Sequence, residues 1–81
     1  MDKSLLAAEI LGWYGAIAIL LAYALVSFSV IAGDSILFQL LNITGSIGLL
    51  LIAFAKRVYQ SVILNIEWAL IGTIAIAKLF L

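Results

Sequence analysis

The chain has 81 residues, 68% hydrophobic and 10% charged, and its four Lys/Arg balance its four Asp/Glu. A mean hydropathy of +1.39 in so short a chain excludes a water-soluble globular domain, which could not hide that much apolar surface, and a disordered tail, which needs the opposite composition. Without Cys or His there is no disulfide, thiolate, haem-ligand or ordinary zinc chemistry, and balanced charge leaves no basic footprint for nucleic acid, so neither metal nor cofactor is expected.

The charges divide the rest. Asp2, Lys3 and Glu9 precede an uncharged run over 10–33. Asp34 interrupts it, and 35–55 forms a second run that Lys56 and Arg57 end. The third run, 58–77, is broken by Glu67 and closed by Lys78. A helix rises about 1.5 Å per residue and needs about 20 residues to cross about 30 Å of hydrocarbon. Leu, Ala and Ile dominate without the alternation of barrel strands. The expected fold is therefore all-α: one membrane domain over 1–81, with three transmembrane helices at 10–33, 35–55 and 58–77. Short connections make neighbouring helices antiparallel. Ala22-Tyr23-Ala24 mimics a signal-peptide cleavage site, but Asp2 and Glu9 cancel Lys3 and no soluble domain follows, so the first run is expected to remain a span.

Lys3, Lys56 and Arg57 fall on one side of the membrane, and Asp34 and Lys78 on the other. The positive-inside rule then puts the N-terminus in the cytoplasm, with Trp13, Tyr14 and Tyr59 as an aromatic belt at that interface. The expected location is a bacterial inner membrane.

In lipid, small residues and buried polar groups bring helices together. The first helix carries Gly12, Gly15, Ala16, Ala18 and Ala22 on one broad side. The second has a stripe of Ser35, Gln39, Asn42, Gly45, Ser46 and Ala53, with Thr44, Gly48 and Ala55 nearly opposite, as suits a helix with neighbours on both sides. The third aligns Ser61, Asn65, Ala69 and Gly72. Gly12, Gly15, Gly45, Gly48 and Gly72 are the expected packing glycines, and plain packing explains most of these small residues.

Glu67 stands apart. It lies ten positions past Arg57, about 15 Å into the membrane, where a carboxylate is expensive and normally faces protein or water. At about 100° per residue it points roughly 160° away from Asn65. If Asn65 faces the bundle, Glu67 faces another subunit, so a homo-oligomer, most simply a dimer, is expected. An unpaired carboxylate there takes up a proton or a cation; the bland alternative is a permanently protonated Glu bonding across an interface. Tyr23 and Asn42 fall at similar depth and Trp68 is mid-membrane. With Asn65 they are expected to line a small polar pocket with aromatic walls, unless each merely bonds between helices.

Gly12-Trp13-Tyr14-Gly15, Leu41-Asn42-Ile43-Thr44-Gly45 with Gly48-Leu49, and Asn65-Ile66-Glu67-Trp68 resemble an uncharacterised family of three-span bacterial inner-membrane proteins over nearly the whole chain. That resemblance implies no activity. Length, three spans and short loops also resemble the SemiSWEET half transporters, which dimerise around a central path. Leu11-Gly12-Trp13 falls at their Gly-aromatic position and Asn65 at their substrate-binding Asn. Their Pro-Gln pair would fall at Leu25-Val26, and this chain has no Pro. Their stacking Trp would fall near Leu49. The architecture is implied; sugar transport is not. Rotary ATP synthase ring subunits share a mid-membrane acid but have two spans, and small multidrug exporters carry theirs on the first of four helices.

The leading expectation is a homodimeric transporter of a small solute with Glu67, Asn65, Asn42, Tyr23 and Trp68 at its site. The alternative is a structural or accessory membrane subunit without substrate, and a holin-like pore comes third. No nucleophile–base pair, metal set or phosphate loop suggests an enzyme.

Overall fold

A computed structural model describes residues 2–81. Among the described residues there are three helices: α1 (Lys3–Ser27), α2 (Ile36–Ala55) and α3 (Tyr59–Leu79). Each is long and apolar enough to cross a membrane, and no strand occurs among the described residues.

The first helix differs from the expected span at both ends. It starts seven positions early because Asp2 caps it: Ser4 N–H donates to Asp2 Oδ1 at 3.2 Å and Ser4 Oγ donates to Oδ2 at 2.8 Å. A side-chain acceptor at this place satisfies donors that the first turn leaves free. It ends at Ser27, although the uncharged run continues to Gly33. There Val30 N–H donates to Leu25 O at 2.8 Å and Ser29 N–H to Val26 O at 3.0 Å, with Ser29 at φ 62°. This Schellman closure satisfies carbonyls that the helix end would otherwise leave orphaned. Residues 28–33 therefore belong to the connection. Hydropathy reports what tolerates lipid, not where a helix stops.

The α2–α3 turn repeats the device. Val58 N–H donates to Ala53 O at 2.9 Å and Arg57 N–H to Phe54 O at 3.1 Å, with Arg57 at φ 59°. Both left-handed positions are occupied by residues other than glycine. Five of the six glycines serve close packing instead.

α2 lies between the other two helices; no Cα pair between α1 and α3 comes within 8 Å among the described residues. Glycines set the antiparallel register. A Cβ on Gly12 would meet the Ile52 side chain at 2.6 Å. One on Gly15 would land on the Gly45 carbonyl oxygen, and one on Gly48 on that of Leu11. A Cβ on Gly72 would meet Ile43 Cγ1 at 2.7 Å and Gln39 Oε1 at 3.2 Å. Gly45 thus faces α1 together with Gly48, and not the Gln39–Ser46 stripe to which its spacing assigned it. Its Cβ would meet Ile19 Cγ1 at 2.8 Å.

The core is made of small residues. Among the described residues the buried hydrophobics are Ala8, Ala18, Ala22 and Ala53, and the largest fully buried side chain is Ser46. The large side chains, Ile10, Ile17, Leu20, Leu37 and Leu70 among them, are turned outward. This inversion suits hydrocarbon, where apolar bulk gains nothing by hiding and close backbone approach supplies the attraction.

Tyr14, expected in the interfacial belt, also bonds to a neighbouring helix. Its hydroxyl lies 2.7 Å from Thr44 Oγ1, which itself donates to Leu40 O at 2.7 Å. Thr44 has one proton and gives it to Leu40, so Tyr14 is the donor. The pair ties α1 to α2 on the side of α2 away from Asn42.

Candidate functional site

An ion pair fixes relative depth. Lys56 Nζ lies 2.5 Å from Glu9 Oε1, so position 9 of α1 and the end of α2 are level. Tyr23 and Asn42 each lie fourteen positions from that pair, about 21 Å along their helices. Trp68 lies eleven positions past Arg57, about 17 Å along α3. Three helices thus deliver three polar side chains to one zone, and these meet. Tyr23, Asn42 and Trp68 line one cleft of ≈ 200 Å³ with Ile19 and Phe38.

The cleft sits on the concave side of the three-helix row, where α1 and α3 flank α2. Tyr23 is 70% exposed and Trp68 45%, and Asn42 is half-buried. Among the described residues, neither the Tyr23 hydroxyl, the Asn42 amide nor the Trp68 indole N–H has a hydrogen-bond partner. All three can donate. Between aromatic walls, such a set suits a small molecule with acceptor oxygens.

Asn65 does not join them. It is 4% exposed, sealed in the α2–α3 contact. Its Nδ2 donates to Ser61 O at 2.8 Å and to Ser61 Oγ at 3.2 Å. Its Oδ1 is buried without a partner among the described residues, as is Ser46 Oγ. Since Gly72 faces Gln39 and Ile43, two turns back along α3 and two forward along α2 bring Asn65 level with Ser46. Two unsatisfied oxygens therefore share one level of this contact. The expected pocket of four is a cleft of three, because Asn65 faces α2 directly while Trp68 stands to one side of that contact.

Glu67 also lies outside the cleft. It is exposed on the surface of α3 turned from α2, and no ion pair or hydrogen bond reaches it among the described residues.

Several functional-looking contacts escaped the sequence. Gln39 is buried, and its Nε2 donates to Gly33 O at 3.3 Å, anchoring the first connection to α2. Ile19 and Phe38 wall the cleft; as ordinary apolar residues they carry no signal. The Glu9–Lys56 pair borders a second groove of ≈ 240 Å³ with Gly12, Trp13, Ala16 and Ile52. Opposite charges on one membrane side were the available clue to that pair.

A family model matches residues 8–81. No curated protein and no solved structure matches the chain, and the SemiSWEET likeness draws no support from these comparisons. With nearly its full length matched and three apolar, membrane-length helices, the chain belongs to an uncharacterised family that carries a bacterial name.

Proposed function

We propose that this protein is one half of a small-solute transporter in a bacterial inner membrane, with its N-terminus in the cytoplasm. Two copies in the same orientation place their concave faces together and enclose a path between them. One observation carries the proposal: three donors unpartnered among the described residues, Tyr23, Asn42 and Trp68, come from three different helices to one open cleft. A single chain leaves that cleft unroofed; a second copy closes it. Glu67, near the same depth, supplies a group that can hold a proton.

The test is uptake into proteoliposomes. Sugars, amino acids and small carboxylates are offered with and without an imposed proton gradient. At least one should enter faster than into empty vesicles, and Asn42→Leu or Trp68→Ala should abolish that uptake while the protein stays folded. Absence of uptake across the panel would favour the accessory subunit. That second reading has its own support: Ile19, Phe38 and two aromatic rings make the cleft walls largely apolar, which equally suits a lipid chain or a partner's helix.

A further inference from the structure

We propose that the Glu67 carboxyl of one copy seats against the Tyr23 hydroxyl of a second copy of this chain. The proposal rests on the apposed copies described above but not on solute movement.

Glu67 needs a partner that the described residues of its own chain do not provide. It points roughly 160° from the buried Asn65 face, so no packing of α2 on α3 covers it. The cations nearest in sequence, Arg57 in the turn before α3 and Lys78 near its end, are ten and eleven positions away, about 15 and 17 Å. A carboxyl at this depth seeks a donor in protein or water. α3 is also the least covered helix: 11% of its apolar stretch is buried within the chain, against 28% for α1 and for α2.

Tyr23 supplies the complement. Its hydroxyl is exposed to the concave side and unpartnered among the described residues. Symmetry brings the two together. A two-fold axis along the membrane normal keeps every residue of both copies at its own depth. It also reverses the left-to-right order of the helices, so apposed concave faces set α3 of one copy against α1 of the other. Glu67 and Tyr23 then differ in depth by about one helical turn, or about 6 Å, which two long side chains span. The contact is isologous and occurs twice per dimer. Tyr23 Oη–H donates to an ionised carboxylate, which leaves Asn42 and Trp68 as the free donors of the cleft; a protonated carboxyl donates to Oη instead and leaves all three free.

The experiment measures dimerisation of the full chain in lipid bicelles by fluorescence energy transfer on dilution. Glu67→Leu and Tyr23→Phe should each weaken the dimer about tenfold, as the loss of two interhelical hydrogen bonds implies. The double variant should be no weaker than the worse single one. Additive losses, or unchanged affinity in either single variant, would overturn the proposal. A second measurement leaves both residues in place. The chain has no Cys, so copies carrying Leu20→Cys mixed with copies carrying Ile71→Cys report α1 against α3. A short bis-maleimide should give the mixed covalent dimer in high yield; its absence counts against the contact. A coupled dimer without uptake removes the transport reading alone, and uptake with an additive cycle removes this contact alone.

Discussion

The two faces of α2 hold their neighbours by different means. Against α1 two of the four glycine contacts are backbone on backbone, Gly15 on the Gly45 carbonyl and Gly48 on that of Leu11, while Gly12 and Gly45 meet the Ile52 and Ile19 side chains. Against α3 the contact is made through side chains, with Gly72 over the Ile43 side chain, Gln39 beside it, and Asn65 and Ser46 burying oxygens that find no partner among the described residues. Backbone atoms cannot rotate out of the way, so the first contact admits one geometry. Side-chain ends can turn, and an unsatisfied oxygen costs free energy that a rearrangement would recover. The difference teaches that α1 and α2 form a rigid pair and α3 is the adjustable element. That is also the helix bearing Glu67 and Trp68.

The largest expected effect is therefore at Gly48. Gly48→Ala should destabilise the protein by about 3 kcal/mol in detergent unfolding, at the upper end of overpacking costs. Gly72→Ala should cost about 1 kcal/mol or less, since Ile43 can adjust. Equal losses at the two glycines would erase the distinction between the faces. Ser46→Ala should have the opposite sign and stabilise by up to about 1 kcal/mol, because it removes a buried hydroxyl without a partner. A clear destabilisation would mean that Ser46 is satisfied in the membrane, and that the α2–α3 face is as settled as the other.

Smaller effects sharpen the rigid side. Tyr14→Phe removes the donor to Thr44 and should cost about 0.6 kcal/mol, the usual value for an interhelical bond in lipid. The smallest effect lies at the start of α1. The Ser4 hydroxyl first, and then its backbone N–H, hold the exposed Asp2 carboxyl below its ordinary value. A group lowered on folding stabilises above its unfolded value and loses that contribution as pH falls through the folded one. The Ser4 amide resonance should therefore hold steady at neutral pH and shift below about pH 4, as the cap protonates. A shift centred near neutrality would assign it to another group.

Counting along the chain grouped three of the residues that line the cleft. Distances from the charged boundaries placed Tyr23, Asn42 and Trp68 in one zone, and the helical period turned Asn65 and Glu67 to opposite sides of α3. The cleft and the outward carboxyl follow that pattern. Asn65 was assigned to the wrong group because depth alone cannot tell whether a polar residue lines an opening or is sealed beneath a neighbouring helix. Gly45 was assigned to the wrong face for a related reason: it lies between two stripes, and the partner's register decides which claims it.

Sequence by itself determined the inverted composition, three membrane-length helices, and the angle and depth of each side chain on its own helix. These depend on periodicity and on charges that cannot enter hydrocarbon. Tertiary structure alone decided that α2 is central, that α1 ends at Ser27, that Tyr14 reaches Thr44, and that the concave side opens at Tyr23, Asn42 and Trp68. Each of these depends on the rotation and register of one helix against another. That register is set by which small residues let two backbones touch, a relation between segments that no single stretch of sequence contains.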